Sequence, residues 1–518
     1  LKEIEDTWED TLLFHFHDAI PGSSVNEANQ DIIKRGRPRL SKLREIEQKL
    51  AEIISTNLRT PLNEKAQIIF NTLSHKRTLF GQIIPECGWT VKSDTTQIAT
   101  DDYETTTYER TLNDTCIEHK LFEPFTATYL SPSPLTQKVQ IDPNQKTVTT
   151  PFLDIKFGEN GTIDSVIDKK TGRQFLSQPG NQFELYEDRP INWPAWDIQL
   201  YHKEMQLKSP KFLKFDFEPK NHNNEIIRNA ISLHFEIERI GDGPAETTTI
   251  EQLVIFSEDS PFIDFHTVVN WTQHDKLLKV AFPTTIRSRT ARFGIQFGHI
   301  QRPTHKNTKR DMAKFETSGR WTDLSESSCG GSICSDVKAG FDVHENIMRL
   351  SLLKSPLQTD QWADFGVRKF VYRVAFHNGG FENSNIVSLS DELNTPLIVT
   401  NYTHPTTALN ESQYSTPTEA QFAVVSDPNV VLETLKPAYD GVDGFIARFY
   451  ESSGGWRKAN VLFPLLDASK WDAKVVDLLE NESKDGHNLK VNDNSPQLSV
   501  ELEFNAFELV SILFTKKH

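Results

Sequence analysis

Beyond residue 60 no stretch of this chain holds a helical repeat for long. Short apolar or alternating runs recur instead, among them 67-QIIFNTL-73, 147-TVTTPFLDIKF-157, 246-ETTTIEQLVIF-256 and 263-IDFHTVVNWT-272. Turn-forming residues separate them at 158-GENG-161, 241-GDG-243 and 379-GG-380. A repeat of two turns one face of each run toward a core and the other toward water, and turn signals at this density predict antiparallel β-sandwiches. A chain of 518 residues is too long for one core. The expected class is mainly β: a helical segment over residues 1–60, a small sandwich over 61–145, a large one over 146–410 and a C-terminal one over 411–518. Linkers or long crossings are expected near 131-SPSPLTQ-137 and 403-THPTTALNES-412. No regular internal repeat is present.

The first 60 residues have a different texture. Trp8, Leu12 and Leu13 fall on one helical face, and Pro21-Gly22 breaks the run. Ser24 with Glu27 three residues later reads as a capping box opening a second helix. Its apolar positions Ile32, Ile33, Leu40, Leu43, Ile46, Leu50, Ile53 and Ile54 keep spacings of three and four, while Gly36 and Pro38 predict a kink or two helices. The basic run 34-KRGRPR-39 reads as a solvated turn in preference to a nuclear-localisation signal. The chain opens on LKEIEDTWED, inside a helical pattern, with no Met and no basic-then-apolar leader. It is expected to be a piece of a longer polypeptide.

Charge and cysteine content narrow the partners. Lys and Arg number 56 against 72 Asp and Glu, a net −16, which opposes binding to nucleic acid or to an anionic membrane. No run of eighteen apolar residues occurs, so no membrane insertion is expected. Cys87, Cys116, Cys329 and Cys334 suggest neither a zinc ribbon nor a disulfide framework, and mildly favour a reducing compartment. The six Asn-x-Ser/Thr sequons are what an Asn-rich chain produces by chance.

Four constellations bear on chemistry. In 14-FHFHDAIPGSS-24, two histidines and an aspartate crowd at the end of an apolar helix. His15 and His17 lie about 200° apart on a helix and cannot share an ion there. On an extended turn His17 and Asp18 can face one pocket, as a metal ligand and a carboxylate for hydroxyls, or as capping and buried hydrogen-bonding groups. The segment 186-YEDRPINWPAWDI-198, with Pro190 and Pro194, cannot be a regular central strand. Trp193, Trp196 and Asp197 suit a sugar, since indole covers the C–H face of a pyranose and a carboxylate takes two hydroxyls. The alternative is a Trp-anchored loop between sheets. The third, 314-KFETSGRWTDLSESS-328, is dense in Trp, Asp, Ser and Glu for a strand-loop segment and is a candidate sugar contact, with an ordinary polar surface loop as the alternative. The fourth, 360-DQWADFG-366, offers Asp360 and Asp364 either as paired acid and base or as an acidic surface turn.

Taken in order, these segments resemble the C-terminal half of the family 38 glycoside hydrolases, the α-mannosidases, in a branch like the cytosolic and vacuolar type. The resemblance rests on 17-HDAIPGSS-24, 70-FNTLSHKRT-78, 193-WPAWDI-198, 300-IQRPTHKNT-308, 312-MAKFE-316, 321-WTDLSE-326, 341-FDVHENIMRLSLLKSP-356 and 446-IARFYESSGG-455. It spans essentially the whole chain and departs from the family at Pro194 and 329-CGG-331.

The resemblance implies the end of a helical bundle, several β-sandwiches and a large sandwich of the galactose-mutarotase type. It implies retaining hydrolysis of terminal α-linked mannose from oligosaccharides and N-glycans, with one zinc (alternatively cobalt) gripping the cis 2- and 3-hydroxyls. It makes His17 a metal ligand and Asp18 a substrate contact, with Trp193, Trp196 and Asp197 as further substrate-binding candidates. The Asp nucleophile, the acid/base and the remaining metal ligands belong to an N-terminal domain that is expected to be missing here, so the chain alone is expected to be inactive. A mannose-containing oligosaccharide, that N-terminal domain and a further copy in a homo-oligomer are the expected partners, in the cytoplasm or a vacuole or lysosome. The competing reading is a non-catalytic carbohydrate-binding or scaffold module derived from such an enzyme.

Overall fold

The computed structural model describes residues 2–55, 65–78, 89–96, 103–110, 121–122, 124–130, 138–220, 226–238, 247–313, 316–403, 419–439, 441–483, 489–492 and 495–517. Cys87, Cys116, the turn 241-GDG-243 and both expected linkers, apart from Thr403, lie outside them.

Two helices open the chain, α1 (Lys2–Phe14) and α2 (Asn26–Ser55). The second is one helix and not two, with Pro38 inside it. The basic run is part of that helix and not a turn. Arg35 and Arg39 both hydrogen-bond the buried Asp10 of α1, with Arg39 Nε at 2.9 Å. Arg39 also pairs with Asp6, and Lys42 with Glu3. An acidic stripe on α1 thus docks a basic stripe on α2, which is why an apolar pattern alone misread this segment. Gly36 is small for a packing reason: a Cβ there would sit 3.4 Å from the Phe14 ring. Trp8, Leu12 and Leu13 are all exposed. At its far end α2 buries Ala51 against Ile68, Phe70 and Ala127 of a small sheet.

That small sheet runs in the order Ile398–Thr403, Lys65–Asn71, Thr126–Leu130, Glu419–Gln421. Strands far apart in sequence therefore close it. The large sandwich packs a nine-stranded sheet against a five-stranded one, all pairings antiparallel. Central strands of the nine are Thr248–Phe256, Phe262–Trp271 and Gly366–Asn378. The five run Gln182–Glu187, Lys276–Pro283, Ile347–Lys354, Gly340–His344, Glu316–Ser318. Phe265 and Tyr372 stack between them beside the fully buried Trp271. The Tyr372 hydroxyl is satisfied there, donating to Asn181 Oδ1 at 2.7 Å and accepting from Gln252 Nε2 at 2.8 Å. The run 147–157 is a hairpin of Thr147–Thr149 and Leu153–Phe157, split at Pro151 because proline has no N–H for a ladder. Two four-stranded sheets form the C-terminal sandwich around Phe449, Phe463 and Phe514. Among the described residues two further short α-helices occur, α3 (Lys309–Met312) and α4 (Ile386–Asn394). No helix among the described residues is long and apolar enough to cross a membrane.

One face of the five-stranded sheet carries charge. Strand pairing sets Glu184 beside Lys279, Asp342 beside Arg349 and Glu316 beside Asp342. Lys279 Nζ reaches Glu316 at 2.7 Å, Arg349 Nε reaches Glu184 at 2.7 Å, and Lys203 Nζ reaches Asp342 at 2.6 Å. Lys279 and Asp342 are fully buried. Burial alone would raise the Asp342 carboxyl, but Lys279, Lys203 and Arg349 together hold it well below the usual carboxylate range.

Candidate active site

The turn between α1 and α2 is built by local hydrogen bonds. Ala19 N–H and Ile20 N–H both donate to the Phe16 carbonyl, and Gly22 N–H donates to Ala19. Gly22 has φ +71°, a left-handed conformation that glycine tolerates and side chains resist. The Ser24 hydroxyl donates to the Asp18 carbonyl at 2.7 Å, closing the turn ahead of α2.

A loop of the large sandwich then clamps the turn from outside. Thr359 Oγ1 contacts the carbonyls of Ser23 and Ser24 at 2.7 and 2.9 Å. Asp360 accepts from Asn26 Nδ2 at 3.2 Å on both oxygens, from Asn29 Nδ2 at 3.1 Å and from Trp362 N–H at 2.9 Å. Asp360 is buried and so is neither an acidic surface turn nor an exposed acid. Asp364 accepts from Lys354 N–H and lies 3.8 Å from Arg368. The third constellation is likewise no surface loop: Trp321–Ser325 is a buried strand whose Asp323 binds Ser332 Oγ and His377 Nε2.

Asp18 is the meeting point. Its Oδ1 accepts from the indole Nε1 of Trp196 at 3.1 Å and from Ser23 Oγ at 3.4 Å, while Oδ2 lies 3.5 Å from Nε2 of His17. The His17 ring is 77 % exposed and lies against Phe16, centroids 4.3 Å apart. Trp193 meets Trp196 edge to face at 5.8 Å, with its own backbone in the left-handed region at φ +56°. Asp197 is exposed, its N–H donating to the Trp193 carbonyl. A cavity of about 410 Å³ lies beside Asp18, walled by Leu13, Phe16, Val25, Trp196 and Thr359. His17, Asp18, Trp193 and Trp196 thus form one cluster from two regions of the chain, while Asp197 turns to solvent at its edge. The Thr359–Asp360 clamp had no signal in a single sequence, because its partners lie more than 330 positions away.

The Trp loop is held at both roots. At one end Lys354 pairs with buried Asp188, and Asp188 N–H donates to the Asp275 carbonyl at 2.8 Å. At the other, Tyr201 hydroxyl donates to the Arg189 carbonyl, and Lys203 inserts into the buried charge network. Between them the His202 ring packs edge-on to Tyr186 and contacts the Gln199 carbonyl through Nδ1 at 2.7 Å. Burial, reinforced by the Lys279 charge, lowers the His202 pKa to about 4.

His17 and Asp18 do not make a metal site by themselves. Zinc sites take three or four protein ligands. Among the described residues no three His, Cys, Asp or Glu side chains converge to hold an ion. One exposed imidazole and one carboxylate already engaged by an indole N–H are what this cluster offers.

Two family models match the chain: the glycosyl hydrolases family 38 C-terminal domain over residues 148–361, and the family 38 C-terminal beta sandwich domain over 429–512. The chain belongs to glycosyl hydrolase family 38. Mouse alpha-mannosidase 2C1 is 29% identical to this family 38 chain over 538 aligned residues, covering 99% of it and 45% of the mouse protein. Its human counterpart is 32% identical over 391, covering 72% and 34%. Alpha-mannosidase G of Dictyostelium discoideum is 28% identical over 554, covering 98% and 47%. The chain therefore spans less than half the length of these curated relatives. The crystal structure of an alpha-mannosidase from Enterococcus faecalis V583 superposes with a TM-score of 0.75 at 13% identity, over 99% of this chain and 63% of that one. That likeness shows the shared fold.

Proposed function

We propose that this chain is the C-terminal part of a retaining, metal-dependent α-mannosidase, and that it supplies one wall of the active site. The observation that carries the reading is the Trp196–Asp18 hydrogen bond, which joins the His-Asp turn to the tryptophan loop across 178 positions. The indole N–H fixes one oxygen of Asp18, leaving the other beside His17 and able to accept a sugar hydroxyl. Exposed faces of Trp193 and Trp196 then offer apolar cover for a pyranose ring. A zinc ion, or cobalt, bound with His17 as one ligand would grip vicinal hydroxyls, and residues outside this chain would supply the other ligands, the nucleophile and the acid/base. The substrate in this reading is terminal α-linked mannose on oligosaccharides, N-glycans included. A cytoplasmic or vacuolar location and assembly into homo-oligomers go with it.

The direct test compares the chain alone with the chain joined to the N-terminal part of its parent polypeptide, each with added zinc, on 4-nitrophenyl α-mannoside. Hydrolysis is expected from the joined protein and none from the chain alone. Turnover by the chain alone would overturn the division of labour.

A further inference from the structure

A second cleft, of about 470 Å³, opens where the large sandwich meets the C-terminal one, and it shares no residue with the turn cavity. Its walls are the tip of the hairpin formed by Thr290–Ile295 and Gly298–Pro303, the helix α4 and the strand Gly444–Glu451. Along α4 the residues Val387, Ser390 and Asp391, spaced three and four apart, face it. Ser390 is 1 % exposed, and its Oγ has no hydrogen-bond partner among the described residues. Among the described residues the Asp391 carboxylate forms one salt bridge, to Arg320 at 3.5 Å. The Tyr450 hydroxyl has no hydrogen bond among the described residues, and the Tyr450 ring meets Phe297 edge to face at 5.7 Å.

A folded interior rarely leaves a hydroxyl as buried as that of Ser390 unmatched. The set also discriminates between ligand types. Arg320 opposes a cation, and Asp391 with Glu433 opposes an anion. Burial raises the Asp391 carboxyl to about 6, offset only in part by Arg320 and His75, so it can accept or donate near neutral pH. A small neutral ligand with several hydroxyls and an apolar face satisfies every group present.

We propose that this cleft is a second carbohydrate site, separate from the turn, that binds one neutral hexopyranose with its ring against Phe297 and Tyr450 and its hydroxyls on Ser390, Asp391 and the Tyr450 hydroxyl. Its occupation does not depend on the mannosidase reading, because no residue of the His17–Asp18 cluster takes part. The test uses the full chain with methyl α-mannoside, methyl α-glucoside and methyl α-galactoside, screened by saturation-transfer NMR and titrated by calorimetry. At least one glycoside is expected to bind. Asp391→Asn and Tyr450→Phe are each expected to weaken it at least about tenfold with an unchanged melting temperature. Absence of binding by all three glycosides would overturn the proposal. So would binding that survives Asp391→Asn, Tyr450→Phe and Ser390→Ala unchanged, or binding that only Trp196→Ala removes.

Discussion

An indole N–H aimed at a carboxylate is a demanding arrangement, because both groups give up freedom to hold one geometry. Asp18 and Trp196 keep it at 3.1 Å at a partly exposed position, where stability gains least from it. Orientation of Asp18 is the more fitting role. In the intact enzyme, Trp196→Phe keeps an aromatic face and removes the donor, so kcat/KM on an α-mannoside is expected to fall about tenfold or more with little change in melting temperature. Near-full activity in Trp196→Phe with a loss only in Trp196→Ala would mean that the ring face matters and not the N–H. His202 carries a separate consequence. Its folded pKa of about 4 lies below its ordinary 6.5, so the unfolded chain takes up the proton first as pH falls. Stability is therefore expected to drop as pH falls from about 6.5 toward about 4, by about 3 kcal/mol at most. His202→Gln should flatten that part of a pH series of urea melts.

At the scale of elements, the tryptophan loop depends on the charged face beneath it. Removing the carboxylate in Asp342→Ala leaves Lys203 and Lys279 without it in a buried setting, at a cost of about 3–5 kcal/mol. Urea unfolding checks the loss, and faster amide exchange over residues 189–199 is expected with it. Strands such as Phe262–Trp271 and Thr248–Phe256 were legible in the sequence, because alternation records which face meets the core. The charged face was not: Glu184, Lys279, Asp342 and Arg349 look like solvent-facing positions of ordinary alternating strands, yet Lys203 from the segment Leu200–Glu204 lies over them and reaches Asp342. The helical pair misled for the opposite reason. Gly36 and the basic run look like a break, yet Phe14 needs the space and Asp10 needs the cations.

Across the whole molecule, the helical pair, the small sheet and the two sandwiches are joined by specific contacts. The Asn26–Asp360–Asn29 clamp is one, and His299, set among the rings of Trp321, Phe381 and Phe507 at the sandwich junction, is another. The order of motifs was readable from the sequence, and so was the crowding of His17 and Asp18. What brings Trp196 to Asp18 was not, because it is the placement of a loop 178 positions away on the large sandwich. The proposed role of that meeting point is tested most directly by His17→Ala in the intact enzyme, with zinc content and α-mannoside hydrolysis measured on the same sample. The account predicts that bound zinc falls well below that of the unaltered enzyme and that kcat/KM drops by about a hundredfold or more. Full zinc content with a rate within twofold of the unaltered enzyme would contradict it.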